Sequence, residues 1–314
     1  MSSRAYVFPG QGSQTVGMGK ELAASFVEAR EVFQEVDDAL SQKLSQLMFE
    51  GPEGDLTLTE NAQPAIMAVS MAVMRVLEKQ GGLNLATAAR FVAGHSLGEY
   101  SALCAAGSIS LADTARLLKL RGQAMQKAVP VGVGAMAALL GLDFDGAKAV
   151  AQEAAQGQVC TAANDNADGQ VVVSGHAEAI DRAIAIAAGK GAKRAVKLPV
   201  SAPFHCPLMQ PAADAMQKAL TETIIKAPVV PLVANVTASS GSDPEVIRAQ
   251  LVTQVCGTVR WRESVLYMKA QGVSELIECG AGKVLGGLVK RIDKEMTAQS
   301  IGLPADIEAF LKGV

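Results

Sequence analysis

The sequence predicts an α/β fold in two parts, a large domain with a mostly parallel sheet and a small ferredoxin-like (βαββαβ) subdomain inserted into it. Three observations lead to this prediction. Apolar strand segments alternate with helical segments, a βαββαβ order interrupts them between about residues 130 and 200, and the alternation then resumes. We therefore expect residues 1–129 and 201–314 to form the large domain and 130–200 to form the small one.

The first elements of the large domain follow from apolar patterning. Residues 4–8 (RAYVF) form a short apolar run that Pro9 and Gly10 terminate, which indicates a buried strand. Residues 62–80 are apolar on nearly every face and predict a buried helix. The next predicted elements are a strand at 90–93, the turn GHSLG, a helix at 99–106 and a helix from 111 to about 128.

The inserted unit and the second part of the large domain are read in the same way. In the unit we expect strands in GAMAALLGL, VCTAAN, QVVVSG and RAVKLPV, with helices at 145–156 and 177–189. After residue 200 we expect a helix near 207–222, a strand at 229–236, a helix at 244–255 and the strand ELIEC followed by a last helix. The chain of 314 residues is long enough for both parts.

Composition narrows the classes of partner and compartment. The formal net charge is -3, so we expect no general attraction to nucleic acid or to an anionic membrane. No apolar run approaches the roughly 20 residues that span a bilayer, and no basic segment leads into an apolar run at the N-terminus. The five cysteines are odd in number and never form a CxxC pair, which argues against disulfides and a zinc site. We expect a cytoplasmic protein with reduced thiols and no metal.

The pentapeptide Gly94-His95-Ser96-Leu97-Gly98 matches the G-x-S-x-G nucleophile elbow. It stands between an apolar strand and a helix, which is the context that the elbow of an α/β-hydrolase-like domain requires. Glycines let the strand and helix pack closely while the serine adopts a strained conformation. The pattern alone also fits a glycine-rich turn with an incidental serine. Together with the strand before it and the helix after it, the pentapeptide predicts that Ser96 is a nucleophile whose hydroxyl lies at a helix N-terminus.

A general base for this serine can be chosen by elimination, because the chain contains three histidines. His95 is adjacent to the nucleophile and should point elsewhere. His176 ends a strand of the inserted unit and suits a surface or capping position. His205 lies in the irregular segment SAPFHCP, and loops often carry catalytic groups. We expect His205 to be the base, although no acid that would orient its imidazole stands out.

Arg121 lies away from the polar face of its predicted helix. That face carries Arg116, Lys119, Gln123 and Lys127. Arg121 instead shares a stripe with Leu117 and Ala124, so we expect its guanidinium to be buried with a partner. A planar guanidinium in a pocket can bind a substrate carboxylate through two hydrogen bonds. The alternative is an internal salt bridge to Asp or Glu, and the helix pattern alone favours it.

Several longer segments occur in a specific order. They are FPGQGSQ, GHSLGEYSAL, LLKLRGQAMQ, SAPFH, VANVTA and VSELIECGAGKVLGGLVKRI. As a set they give the chain, over essentially its whole length, a resemblance to the bacterial malonyl-CoA:acyl-carrier-protein transacylase family. The acyltransferase domains of polyketide and fatty-acid synthases share these motifs.

The resemblance implies roles for individual residues. Ser96 would be the nucleophile and His205 the base, with a main-chain carbonyl near Gln254, rather than an acid, orienting the imidazole. The backbone N–H groups of Gln11 and Leu97 would form the oxyanion hole, and the elbow geometry by itself also places one donor at the residue after the nucleophile.

The resemblance also implies the substrate. Arg121 matches the residue that binds the malonyl carboxylate, which reverses the preference for a salt bridge. Phe204, directly before the histidine, leans toward malonyl over bulkier acyl groups. The implied reaction is ping-pong transfer of malonyl from malonyl-CoA, through a Ser96 ester, to the phosphopantetheine thiol of acyl carrier protein in fatty-acid biosynthesis. It requires no cofactor.

The resemblance further implies an acidic carrier protein as partner, and we expect a monomer. A local basic surface would suit this partner despite the negative net charge. The run of Lys190, Lys193, Arg194 and Lys197 is the candidate. An ordinary solvated face explains the same run equally well.

Other functions fit parts of the pattern. A thioesterase or esterase of the α/β-hydrolase type, in which water discharges the serine ester, fits the elbow. Those enzymes usually follow the serine with an acid and then a histidine in a single-sheet domain, whereas here an insert intervenes. Gly10 and Gly12 after the first strand suggest nucleotide binding, but Thr15 stands where that fingerprint needs glycine. A non-catalytic carrier-binding module would have no need of Ser96.

Overall fold

A computed structural model describes residues 3–200 and 202–313 and contains two separate β-sheets flanked by helices. The strands are β1 (Arg4–Phe8), β2 (Phe91–Gly94), β3 (Gly134–Leu140), β4 (Cys160–Ala167), β5 (Gln170–His176), β6 (Arg194–Lys197), β7 (Leu232–Ala234), β8 (Ser239–Gly241), β9 (Glu275–Cys279) and β10 (Thr297–Ile301). The helices up to the small sheet are α1 (Lys20–Ser25), α2 (Val27–Leu40), α3 (Leu44–Glu50), α4 (Glu53–Thr57), α5 (Thr59–Gly81), α6 (Leu85–Ala88), α7 (Gly98–Ala105) and α8 (Leu111–Ala128). The later helices are α9 (Phe144–Ala155), α10 (Ala177–Gly189), α11 (Gln210–Glu222), α12 (Pro244–Cys256), α13 (Trp261–Ala270), α14 (Val284–Ile292) and α15 (Pro304–Lys312).

The larger sheet has the strand order β10-β9-β1-β2-β7-β8, and its neighbouring strands are parallel except for the pair β7 and β8. Residues 5–8 of the central strand β1 are fully buried, as expected for a parallel strand that is covered on both faces. The predicted α/β class with a mostly parallel large sheet is confirmed.

The smaller sheet is antiparallel, with the order β4-β5-β3-β6, and together with α9 and α10 it forms the predicted βαββαβ unit. Some of its apolar side chains form a cluster with those of α9 and α10, whereas Met136, Ala163 and Val172 belong to the main cluster of the large domain. Its elements lie within 134–197. The domain boundaries at 129/130 and 200/201 stay a prediction. Residues 1, 2, 201 and 314, which fall within the predicted ranges of the large domain, lie outside the described residues.

Helix α5 is the main buried helix, as its apolar pattern predicted. Thr59 and residues 61–74 are buried, so every face of this stretch is covered, and the helix packs against α2 and α8. None of the helices in the described part of the chain is both long enough and apolar enough to cross a membrane.

The strand predicted at 229–236 is shorter in the structure, where β7 comprises three residues. Pro231 has no N–H to donate at one end of this segment. At the other end, the N–H of Asn235 donates to the carboxylate of Glu99 at 3.0 Å instead of joining a strand. The difference therefore follows from a contact between residues that are distant in sequence.

The carboxyl ends of β1 and β2 lie at the same edge of the sheet, because Phe8 pairs with Gly94. The loop after β1 and the turn after β2 therefore meet there. In open α/β sheets, this edge is where ligands bind.

Candidate active site

Ser96 lies in a tight turn between β2 and α7, with a left-handed φ of 53°. A Cβ added to Gly94 would lie 1.9 Å from the carbonyl carbon of Gly98, and one added to Gly98 would lie 2.2 Å from the carbonyl oxygen of Phe8. Both positions therefore require glycine, because a side chain at position 94 would collide with the start of α7 and one at position 98 would collide with the end of β1. The predicted elbow geometry is present around Ser96.

The side chain of His205 reaches the hydroxyl of this serine. Its Nε2 lies 2.7 Å from Ser96 Oγ, although the two residues are 109 positions apart in sequence. His205 is 4% exposed and, like Ser96, has a left-handed backbone, with φ of 58°. The structure thus brings together the two residues predicted as nucleophile and base.

The tautomer of His205 follows from its second hydrogen bond. Nδ1 lies 2.9 Å from the main-chain carbonyl oxygen of Gln254. A carbonyl oxygen can only accept, so Nδ1 carries the proton and Nε2 is free to accept from Ser96. Burial, and then the charge of Arg121, lower the pKa of His205 to about 3, so the imidazole is neutral at pH 7.

Arg121 is 1% exposed and lies beside the nucleophile. Its Nη2 donates to Ser96 Oγ at 3.1 Å and to Gln254 Oε1 at 2.9 Å, and its Nη1 donates to Gln63 Oε1 at 2.8 Å. The guanidinium carbon lies 5.6 Å from the centre of the Tyr100 ring. The three side-chain oxygens that accept hydrogen bonds from the Arg121 cation are thus all uncharged.

Within residues 3–200 and 202–313, Arg121 forms no ion pair, so the internal salt bridge considered as an alternative is not present there. Its Nε is buried and has no hydrogen-bond partner in the same part of the chain. Such a guanidinium retains both charge and donor capacity for an anionic ligand.

The residues predicted for the oxyanion hole flank the elbow. Leu97 directly follows Ser96 and is buried. Gln11 follows Gly10, where an added Cβ would lie 2.8 Å from the carbonyl oxygen of His95, so this loop lies against the elbow. Neither backbone N–H has a protein acceptor among the residues described. Both remain able to donate to a substrate oxygen.

The other two histidines have structural partners. His95 Nε2 lies 2.8 Å from Asn166 Oδ1 in the small unit, so the ring points away from Ser96 Oγ. The Nδ1 atom of His176 accepts from the N–H of Val159 at 2.9 Å, just before α10. These positions agree with the choice of His205 by elimination.

The remaining predicted positions differ in how they are held. Phe204 is largely buried, beside His205 in the chain. In the basic run, Lys190 pairs with Glu153 at 3.1 Å and Lys197 pairs with Asp181 at 2.7 Å.

The described residues contain no group of three or more His, Cys, Asp or Glu that could hold a metal ion, and the five cysteines are free.

A family model described as an acyl transferase domain matches residues 5–301. The chain belongs to this acyl transferase family. A relative named malonyl CoA-acyl carrier protein transacylase, from Escherichia coli strain K12, is 48% identical over 312 residues, covering 99% of this chain and 100% of the relative. One of the same name from Bacillus subtilis strain 168 is 44% identical over 313 residues, covering 99% and 97%.

Solved structures of acyl transferases give the same result. An acyl-carrier-protein-S-malonyltransferase from Bartonella henselae is 58% identical, with a TM-score of 0.97 and complete coverage of both chains. A malonyl-transacylase solved in complex with a type II PKS acyl-carrier protein is 43% identical, with a TM-score of 0.96 and complete coverage of both chains. The protein is therefore an acyltransferase, and the resemblance seen in its motifs is confirmed.

Three polar residues of this acyl transferase site were missed in the sequence. Gln63 contacts Arg121, Asn235 Oδ1 accepts from the N–H of Ser96 at 2.8 Å, and Glu99 is fully buried beneath the elbow. Asn235 and Gln63 carry no charge and lie in otherwise apolar segments, so only their polarity there could have marked them. Glu99 carried a clearer signal, since it is a charged residue in a predicted small-residue helix.

Proposed function

We propose that this acyltransferase moves the malonyl group from malonyl-CoA to the phosphopantetheine thiol of an acyl carrier protein, through an ester on Ser96, in fatty-acid biosynthesis. The observation that carries the proposal is the position of Arg121. Its guanidinium is buried, has no carboxylate partner in the described chain and donates to Ser96 Oγ at 3.1 Å. An acyl group that carries its own carboxylate, bound to this cation, would have its thioester carbonyl close to the nucleophile.

In the first half-reaction, Nε2 of His205 accepts the proton of Ser96 Oγ while Oγ bonds to the thioester carbonyl carbon of malonyl-CoA. The oxyanion that forms accepts hydrogen bonds from the N–H groups of Gln11 and Leu97. The carbon–sulfur bond then breaks, His205 returns the proton to the sulfur, and CoA leaves as a thiol. The malonyl ester stays on Ser96.

The second half-reaction runs the same steps with the carrier thiol. His205 takes the thiol proton, sulfur attacks the ester carbonyl, and the Ser96 oxygen leaves and regains the proton. The carbonyl oxygen of Gln254 keeps Nδ1 of His205 protonated throughout, so Nε2 is the atom that exchanges protons. These steps use only protein groups, and we propose that no cofactor takes part.

Acyl selectivity would come from two residues. Arg121 would bind the free carboxylate of malonyl, and the buried ring of Phe204 would limit the volume beside the dyad. An unsubstituted malonyl group satisfies both conditions. Acetyl lacks the carboxylate and leaves the buried cation without an anion.

A serine thioesterase is the second candidate, because water could discharge the same ester. The complex of a similar malonyl-transacylase with a carrier protein favours the thiol as acceptor. We further propose that the carrier docks near Lys190, Lys193, Arg194 and Lys197. We also infer that the enzyme acts in the cytoplasm as a monomer.

The deciding experiment is intact-protein mass spectrometry after mixing with malonyl-CoA, followed by addition of phosphopantetheinylated carrier protein. We expect a malonyl adduct that Ser96→Ala abolishes and that moves to the carrier. His205→Ala should slow adduct formation by about 10²- to 10⁴-fold. His176→Ala is the matched control and should load normally. Loss of the adduct to water without transfer would identify a thioesterase instead.

A further inference from the structure

The peptide groups of Ser96 are fixed from both sides by side chains of the large sheet region. The Ser96 N–H donates to Asn235 Oδ1 at 2.8 Å, and its carbonyl oxygen accepts from Gln254 Nε2 at 2.9 Å. Asn235 Nδ2 also donates to the carbonyl oxygen of Gly94 at 2.7 Å, on the other side of the elbow. A left-handed backbone at a residue other than glycine persists only where its surroundings hold it. Here the two amide side chains hold it, together with the backbone N–H of Glu99, which donates to the Ser96 carbonyl oxygen at 3.0 Å.

Asn235 and Gln254 both donate hydrogen bonds to the same carboxylate, that of Glu99. Oε2 of Glu99 accepts from the backbone N–H of Asn235 at 3.0 Å and from Gln254 Nε2 at 3.0 Å. Glu99 is 0% exposed, and its Oε1 has no hydrogen-bond partner within the described residues. Burial raises its pKa to about 7, and hydrogen bonds from Asn235 and Gln254 and the charge of Arg121 oppose this shift. A buried carboxylate with one oxygen unpartnered requires a reason for its presence.

The amide of Gln254 connects this carboxylate to Arg121. Its Nε2 faces Glu99, so its Oε1 faces Arg121 and accepts from Nη2 at 2.9 Å. The reverse orientation would place the NH₂ group of Gln254 against the guanidinium donors. The ionised carboxylate of Glu99 and the carbonyl oxygen of Ser96 can only accept, so both favour the orientation in which Gln254 accepts from Arg121.

We propose that Glu99 is a positioning residue that acts through the side chain of Gln254. Its negative charge balances Arg121 without contacting it, and its carboxylate helps to orient the Gln254 amide that holds Ser96. This inference rests on the proposed function. A direct carboxylate–guanidinium pair would occupy the donors of Arg121 and cancel its charge. A buried guanidinium with no counter-charge would strongly destabilise the fold. With one amide between the charges, Arg121 is compensated and still has donors for the malonyl carboxylate.

The test is the isosteric variant Glu99→Gln, which removes the charge and can keep an acceptor oxygen. Ser96 acylation is followed at about pH 8.5, where Glu99 is ionised because its pKa is about 7, at increasing concentrations of malonyl-CoA and of acetyl-CoA. Because Arg121 is then no longer balanced, we expect KM for malonyl-CoA to fall on the order of fivefold and KM for acetyl-CoA to stay unchanged. An unchanged KM for malonyl-CoA, or equal changes for both substrates, would overturn the inference.

Glu278→Gln is the matched control. Glu278 is another fully buried carboxylate, but it accepts from the N–H groups of Leu285 and Gly286 and from Ser300 Oγ. Its neutralisation should lower Tm and leave both KM values unchanged. A Glu278→Gln variant that reproduced the malonyl effect would also overturn the inference, because the effect would then not depend on Arg121.

If Glu99→Gln folds poorly, the coupling can instead be tested by a double-mutant cycle in which Tm is measured. This test does not depend on which acyl group the enzyme uses. We expect Glu99→Gln to lower Tm much less in an Arg121→Gln background than in the wild type, because the unbalanced cation is then absent. Strictly additive losses would overturn the inference. Failure of the wild type to load malonyl would instead reject the proposed function, and the cycle would still test the coupling.

Discussion

Nδ1 of His205 donates to the main-chain carbonyl oxygen of Gln254 at 2.9 Å, so the imidazole that we propose as the base is oriented without a carboxylate. A carbonyl fixes the tautomer as well as an acid does, but it brings no full negative charge that would stabilise an imidazolium. Burial and the nearby Arg121 therefore dominate, and the pKa of His205 falls to about 3. These contacts keep the proposed base neutral and able to accept a proton from Ser96.

The first prediction concerns pH. An imidazole can act as a base only when it is neutral, and a pKa of about 3 keeps His205, the proposed base, neutral well below pH 6. We expect the second-order rate of Ser96 modification by a small uncharged fluorophosphonate to change less than about twofold between pH 7.5 and 5.0. A base with the ordinary pKa of about 6.5 would lose about 30-fold over this range. A decline of that size, measured by intact mass, would contradict the depressed pKa.

The second prediction concerns Arg121→Ala. The guanidinium is proposed to bind a carboxylate that acetyl lacks, so malonyl loading should fall about 10- to 100-fold while acetyl loading is spared. Both rates are measured by quenched-flow mass spectrometry with malonyl-CoA and acetyl-CoA. Lys119→Ala is the control, because Lys119 lies on the same helix but pairs with Glu60 at 2.8 Å. Equal losses for the two acyl groups would make Arg121 a structural residue.

The third prediction concerns the elbow glycines. Ala at position 94 would place its Cβ 1.9 Å from the carbonyl carbon of Gly98, where backbone must move. We expect Gly94→Ala to destabilise the protein by at least about 2 kcal/mol in urea unfolding. Gly287→Ala is the control: position 287 is exposed in α14 and an added Cβ meets no atom within 4 Å. That variant should gain about 0.5–1 kcal/mol, and a loss similar to that of Gly94→Ala would contradict the argument.

The features that were predictable from the sequence depend on local patterns. Strand and helix periodicity gave the two-part α/β fold, because each element's apolar spacing is contained in the element itself. The elbow was predictable because all five of its residues are contiguous. His205 could be chosen because the chain has three histidines and two had plausible structural positions.

The features that were missed depend on long-range contacts made by neutral amide residues. Gln63 reaches Arg121 across 58 positions, and Asn235 reaches Ser96 across 139 positions. Nothing in a single sequence indicates which of many amides turns inward. The strand at 229–236 was overestimated for the same reason, since its end is set by the contact of Asn235 with Glu99. Helix periodicity identified Arg121 as buried, but its neutral partners could be seen only in the structure.

The fourth prediction concerns carrier docking. Lys190 and Lys197 are each neutralised by a neighbouring carboxylate, whereas Lys193 and Arg194 are exposed and form no ion pair within the described residues. If an acidic carrier binds here, these two free charges should account for most of the attraction.

The double charge reversal Lys193→Glu/Arg194→Glu should therefore raise KM for the carrier by about tenfold and make it less sensitive to salt. Ser96 acylation by malonyl-CoA should be unchanged, because neither residue contacts the dyad. Lys79→Glu/Lys148→Glu changes the net charge equally, at two exposed lysines outside the run, and should leave KM for the carrier nearly unaffected. If both double variants raised KM alike, net charge rather than this surface would govern binding, and the docking site would have to lie elsewhere.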